Sequence, residues 1–312
     1  MPSYSVRNFW LNFHVGYACR HSGACCTAGW PIPVERDRVI PIQSLASRGD
    51  CSWLLPDANA PADVAGTLVV APTGECVFHG VAGCGVYAAR PVSCAHFPYL
   101  CLIDQRGVHV TLSHYCPTAA AMLFEDLAPI EIVEGPSPVA GCDIPEGLDA
   151  RESLPPLKSP SRLMTFDAFS AWEQSAVAQV LDAQTITVDG IWFETARRAV
   201  PAPWSWPAAP PNVREHWNRL VDSAWPMFTP VVQRYRAAHL FASWAAYTGD
   251  GIPAVLCAAD MAVAVLRVEA TRQCLAAGRA LDAELLTQAI RQSDLLLVHY
   301  ADGRVLSSGT TP

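Results

Sequence analysis

Apolar positions follow one period early in the chain and another late. Short β-branched runs come first: "TLVVAP" (Thr67 to Pro72), "VHVTLS" (Val108 to Ser113) and "IEIVEG" (Ile130 to Gly135). They predict strands, because branched side chains suit a pleated surface. "PTAAAMLFEDLA", after Cys116, predicts a short helix with Pro117 in its first turn, where a missing N–H costs nothing. A helical period then takes over. Thr165 is placed to cap a helix whose apolar positions Phe166, Phe169, Trp172, Val177, Val180 and Leu181 lie near one face. Further helical patterns run from Val213 to Trp225, Val231 to Tyr247, Pro253 to Leu275 and Leu281 to Tyr300. "TGDG" (Thr248 to Gly251) and Gly278 break them. Such short breaks favour antiparallel packing as a bundle. Trp and Phe at helical spacing here read as core.

Proline is dense between the two regimes. Pro129, Pro136, Pro138, Pro145, Pro155, Pro156 and Pro160 interrupt any regular element. The pattern therefore predicts an α+β chain in three parts: a Cys-rich domain of short strands and loops over 1–128, a Pro-rich linker over 129–162, and a helical bundle over 163–312. No internal repeat, glycine-rich phosphate loop or G-x-S-x-G turn occurs.

Composition adds bounds. The 312 residues are 51% apolar, enough for a sizeable core in two domains. The longest apolar stretch, Ala254 to Val268, contains Asp260 and Arg267. It is too short and too charged for a bilayer, which needs about 20 apolar residues. The start, "MPSYSVRNFWLNFHVGYACR", lacks a basic end, an apolar run and a cleavage site, so a cytoplasmic protein without a membrane partner is expected. The net charge is −8, and 14 acidic against 7 basic residues in the first 150 place most of it there. A nucleic-acid partner is not expected on this ground, since phosphate backbones need clustered Lys and Arg.

Ten of the twelve cysteines precede residue 143. Cys257 and Cys274, on apolar helical sequence, read as small core residues. The others form groups: Cys19, Cys25 and Cys26 (C-x5-C-C); Cys76, Cys84 and Cys94 (C-x7-C-x9-C); and Cys116. A reducing compartment disfavours disulfides and favours metal. Gly23, Gly29, Gly80, Gly83 and Gly85 let the loops bend around an ion. Turn glycines with incidental thiols are the blander account, and the thiol density weighs against it. Cys25 and Cys26 are adjacent, and in extended chain their side chains oppose each other. Both on one tetrahedral ion is then unexpected, and seven candidates exceed the four that one zinc needs. More than one ion, a cluster, or a cluster with a free thiol would use the surplus. His21, His79, His96 and His114 each lie within three residues of a candidate Cys. Any of them could replace a thiolate, or stand beside the ligands. Arg90, four residues before Cys94, offsets thiolate charge or forms a surface ion pair.

"CRHSGACC" and "CGVYAARPVSCAHFPY" resemble the two signatures of the YkgJ-type cysteine-cluster family, which chelates zinc or iron. The second match covers Cys84, Val86, Tyr87, Arg90, Pro91, Cys94, Phe97 and Pro98. Ser22 stands where the family often has a further Cys. Flagellin lysine N-methylases lack that same Cys, and "CCTAGWPIPVERDRVI" and "TLSHYCPTAAAMLF" resemble segments of that branch, with Ala28 as an extra residue. The resemblance covers about residues 17 to 125. It implies an iron–sulfur cluster of the four-iron (4Fe-4S) type on ligands drawn from Cys19, Cys25, Cys26, Cys76, Cys84, Cys94 and Cys116, with Tyr87 and Arg90 beside the cofactor. It extends to methyl transfer from S-adenosylmethionine to a protein or small-molecule amine. The residues leave open two alternatives: a Zn²⁺ or mononuclear or polynuclear iron site for structure or delivery, and a redox or electron-transfer module. Cys51, Cys101 and Cys142 lie outside the motifs.

Overall fold

The structure, a computed structural model, describes residues 6–46, 51–125, 129–179, 188, 190–202 and 204–303. The chain is α+β. It divides into two compact units: Ala18–Phe97, and a larger unit of residues 1–17 with 98–312. The smaller unit is thus an insertion between Tyr17 and Pro98. The sequence partition at residues 128 and 162 follows composition. The compact units follow packing and divide the chain elsewhere.

The larger unit is built on a five-stranded sheet, in the order Leu148–Asp149, Tyr99–Asp104, Gly107–Leu112, Asn8–Leu11, Ile132–Glu134. Tyr99–Asp104 and Gly107–Leu112 form a hairpin with Gln105 and Arg106 at the turn. Asp104 stabilises that turn by accepting from the Arg106 N–H at 2.8 Å, an Asx-type bond that these side chains favour. Asn8–Leu11 runs parallel to Gly107–Leu112, and Leu148–Asp149 runs parallel to Tyr99–Asp104. Two of the five strands therefore come from the proline-rich passage read as a linker. Both are short and sit at the sheet's edges, the positions where nearby proline is tolerated.

Helices cover this sheet. Phe166–Ala178 starts where Thr165 accepts from the Ala168 N–H; Val180 and Leu181, assigned to it from sequence, lie outside the described residues. Ile191–Arg198, Val213–Leu220, Thr229–Leu240, Ala245–Thr248, Ile252–Ala277 and Ala283–Asp294 follow. Ile252–Ala277 is largely apolar and buried over most of its length, as a central helix is expected to be. Its ends are as read: Gly251 precedes it and Gly278 closes it in the left-handed conformation. Leu11, Phe13, Leu102 and Ala120 join Phe169, Trp217, Trp225, Tyr235 and Leu266 in one core. Strands of the first half and helices of the second thus bury each other, because neither set of apolar faces is covered alone. Cys274 is fully buried in this core, whereas Cys257 is partly exposed. No described helix is long and apolar enough to cross a membrane.

The smaller unit holds a three-stranded antiparallel sheet, Pro33–Glu35, Val64–Leu68 and Leu54–Pro56 in spatial order. The run Thr67 to Pro72 predicted a strand, and the observed one lies slightly earlier. A two-stranded hairpin joins His79–Gly80 to Gly83–Cys84. The core comprises Ile32, Val34, Ile42, Trp53, Leu68, Phe78 and Val86, with Cys26 and Cys76 inside it and Cys25, Cys84 and Cys94 packed against it.

Candidate metal centre

Local backbone explains how the thiols meet. Gly23, at φ 73, opens a 3-10 turn over Ala24–Cys26. A Cβ at Gly23 would lie 2.4 Å from His79 Nε2, so glycine is needed there for both conformation and space. The turn brings the Cys25 and Cys26 sulfurs within 3.9 Å. An extended chain would have separated them, so the expectation that adjacent thiols diverge is overturned by this turn. The Cys26 carbonyl accepts from the Cys76 N–H at 2.7 Å and ties the second group to the first. The 79–84 hairpin presents Cys84, opposite His79 in register. Cys94 sits in the short helix Val92–His96, whose Val92 N–H donates to the Glu35 carboxylate at 3.1 Å. Glu35 was not singled out from sequence; it lies 57 positions from Val92, and only the tertiary fold brings it to this helix.

The thiols influence one another. Cys26 is hydrogen-bonded to Cys25 and Cys84, and these bonds, with burial, hold its proton far above the usual thiol range. The Cys26 bond brings Cys25 down to about 7 against the effect of burial. The same bond leads in bringing Cys84 down to about 6, with the Val86 N–H, Arg90 and His79 assisting. Burial, then the charges of Cys25, Cys76 and Cys84, push Cys94 up to about 12. Burial also raises Cys76. Five of the seven candidate ligands therefore lie in one electrostatic neighbourhood. Among the described residues, no group of three or more His, Cys, Asp or Glu is already set as a metal shell. The sulfurs are neighbours without being a closed cage.

The remaining candidates are placed differently. Cys19 is exposed, its sulfur accepting from the nearby His21 N–H at 3.4 Å. Cys116 belongs to the larger unit, buried at the start of Pro117–Met122 with Tyr17 Oη at 3.5 Å. Arg90 lies 3.9 Å over the Tyr87 ring, and the His21 ring packs against the same ring at a centroid distance of 4.3 Å. This stack fixes Arg90 where its charge reaches Cys84. His79 pairs with Glu75 at 3.4 Å, and His96 donates from Nδ1 to the Val92 carbonyl at 2.9 Å. His114 is in the larger unit, bonded to Asp294. Cys51, Cys101 and Cys142 lie outside the thiol neighbourhood, and all twelve cysteines are free of disulfides.

Size and spacing test which centre fits. Two thiolates on one tetrahedral zinc, at Zn–S of about 2.3 Å, stand about 3.8 Å apart. The Cys25–Cys26 separation of 3.9 Å matches that. A cavity of about 10 Å³ beside Cys25, Cys26 and Cys76 holds about one water-sized guest. A four-iron cluster takes one thiolate per iron and sets its ligating sulfurs well beyond contact. At this spacing only one of Cys25 and Cys26 could serve such a cluster. No family model, curated protein or solved structure matches the chain.

Proposed function

We propose that the Ala18–Phe97 unit is a thiolate site for a single borderline-soft divalent ion. Cys25, Cys26 and Cys84 would supply three ligands, and Cys76 or Cys94 the fourth. The observation that carries this is the pair of Cys25 and Cys26 sulfurs at zinc-like spacing, with Cys84 hydrogen-bonded to Cys26 beside them. An ion of charge 2+ would displace the thiol protons and neutralise the resulting thiolates. Bound zinc would join the 24–26 turn to the 79–84 hairpin and supply folding energy. Arg90 and His79 would offset the excess negative charge.

A second reading is the four-iron cluster. It is favoured by the count of five thiols, one more than a single ion needs, and by the resemblance to cysteine-cluster proteins. Such a cluster would supply one-electron chemistry. Methyl transfer to an amine rests on the resemblance alone, and no residue of the thiol unit is given a step in it.

The test is anaerobic purification with zinc, iron and acid-labile sulfide quantified per chain. One zinc or iron without sulfide is expected, and Ser at Cys25, Cys26 or Cys84 should lower metal affinity more than about tenfold. Ser at Cys51 or Cys142 should leave it unchanged. Four irons with four sulfides would select the second reading. Metal-free protein that takes up none of these on reconstitution would overturn both.

A further inference from the structure

The larger unit contains a cavity chemically unlike the thiol neighbourhood. It measures about 400 Å³, within the size range of small-molecule sites. Its walls are mostly apolar, with Leu100, Phe241, Met261 and Leu297 among them. Every lining residue belongs to the larger unit, so the cavity stands apart from the thiol centre.

The polar groups on these walls divide into committed and uncommitted ones. The Thr111 hydroxyl donates to the Ala238 carbonyl at 3.3 Å, and the Thr248 hydroxyl to the Trp244 carbonyl at 3.0 Å. Asp302 is already partnered within the protein. His239 is committed on one side only. Its Nε2 lies 3.1 Å from Oδ1 of Asp294, which also accepts from the Tyr235 hydroxyl at 2.9 Å. The other oxygen, Oδ2, accepts from the His114 backbone N–H and from its Nδ1 at 3.1 Å. Burial works to raise the Asp294 pKa, but His114 and His239 outweigh it and keep the carboxylate ionised. An ionised carboxylate can only accept. His239 therefore carries a proton on Nε2, and in the neutral ring Nδ1 is an acceptor. The same logic puts a proton on His114 Nδ1, so the His14 Nε2–H donates to His114 Nε2 at 3.2 Å. Among the described residues, His239 Nδ1 has no hydrogen-bond partner, and neither has the Ser243 hydroxyl.

The backbone that carries Ser243 is fixed on both sides. Ala242, also a lining residue, has φ 55, uncommon outside glycine, and its N–H donates to the buried Glu173 at 3.3 Å. The Ser243 carbonyl accepts from the Ala246 N–H at 3.1 Å. The helix ending at Asp294 continues as a π-helical segment, Leu295–Tyr300, which supplies Leu297 and Val298 to the lining. Both kinds of departure gather at functional sites.

We propose that this cavity binds a neutral, largely apolar molecule bearing a hydroxyl group, which donates to His239 Nδ1 and accepts from Ser243 while the apolar body packs among Phe241, Met261 and Leu297. A hydroxyl both donates and accepts, so one group answers both uncommitted partners. Charge is not what the site reads. Asp294 is satisfied by His114, Tyr235 and His239, and Asp302 has its own partner, so neither calls for a cation. The described lining has no Arg or Lys to call for an anion. A charged ligand would lose hydration here without gaining a counter-charge.

Calorimetric titration of the full chain with 4-phenylbutanol, its methyl ether, 4-phenylbutylamine and 4-phenylbutyrate tests this. At about pH 8 a free imidazole is neutral, the amine is a cation and the acid an anion. The alcohol should bind about tenfold or more tighter than the amine and the acid. It should bind about threefold or more tighter than the ether, which cannot donate to His239. Ala258→Phe, which adds bulk to the cavity wall, should abolish binding. Ser243→Ala should weaken the alcohol about threefold, and it keeps the test open if the larger side chain prevents folding, since the serine hydroxyl has no internal bond to lose. Amine or acid binding as tightly as the alcohol, ether and alcohol alike, alcohol affinity unchanged in folded Ala258→Phe or in Ser243→Ala, or no alcohol binding at millimolar concentration would each overturn the assignment.

Discussion

Arg106 shows how much one side chain can decide. It lies in a turn between two strands, yet its guanidinium is nearly buried. It reaches Asp104 at 2.8 Å and Glu173 at 2.9 Å, 4.5 Å over the Phe169 ring. Asp104 also accepts from Tyr247 at 2.9 Å and pairs with His109 at 3.3 Å. Removing the guanidinium strands two buried carboxylates, so Arg106→Ala should cost about 3–5 kcal/mol in urea unfolding. Arg106→Lys should recover only part, because an ammonium cannot fork between two partners. No local pattern in "LIDQRGVHV" distinguishes this arginine from a solvated turn residue, since its second partner is 67 positions away. The adjacent pair Cys25 and Cys26 taught the opposite lesson. Their chemistry was plain in the sequence, but the 3-10 turn that brings both sulfurs to one side was not.

Elements were legible where their ends carry a local signal. Thr165 was recognisable as a cap because a hydroxyl before an apolar-periodic run can accept from an exposed helical N–H. It does so from Ala168 at 3.2 Å, and Thr165→Ala should lower stability by about 1 kcal/mol, read from the thermal midpoint. The start of Ile252–Ala277 is more demanding. Gly251 has φ 71, and a Cβ there would lie 2.1 Å from the Leu157 carbonyl oxygen. Gly251→Ala should therefore cost about 2 kcal/mol or more. "TGDG" announced a break but not the backbone it meets, which comes from the passage read as a linker. The change from α to π at Leu295 had no signal either. Leu281 to Tyr300 kept a helical period throughout, and the wider turn depends on what the last residues pack against.

At the scale of the whole molecule, buried titratable groups make the larger unit sensitive to acid. Burial, with His114 assisting, keeps His14 well below the usual histidine range, and burial brings His299 down to about 4. Both must gain protons on unfolding below about pH 6.5. Asp104 and Asp294 remain ionised far below the usual carboxylate range, because paired histidines and Arg106 outweigh burial. Each of these groups has a lower pKa folded than unfolded. The unfolded chain then binds more protons, so stability is complete at neutral pH and falls with acid. Loss should begin near pH 6.5 through the histidines and steepen below about pH 4 through the carboxylates. His299 alone should contribute up to about 3 kcal/mol of it. Calorimetric melting from pH 7 to 3 checks this, and a midpoint that is flat or rises with acid would contradict it.

What the chain by itself determined is its chemistry and its local periods: thiols crowded into the first third, strands before helices, caps at Thr165 and Gly278, proline where regular structure thins. These are written in contiguous residues and need no distant partner to take effect. What only the tertiary structure decided is company. It put five thiols into one neighbourhood, placed Glu35 at the helix that carries Cys94, and gathered His14, His114, Tyr235 and His239 around Asp294. Those groupings depend on which apolar faces cover each other, and burial then sets the charge each group can bear.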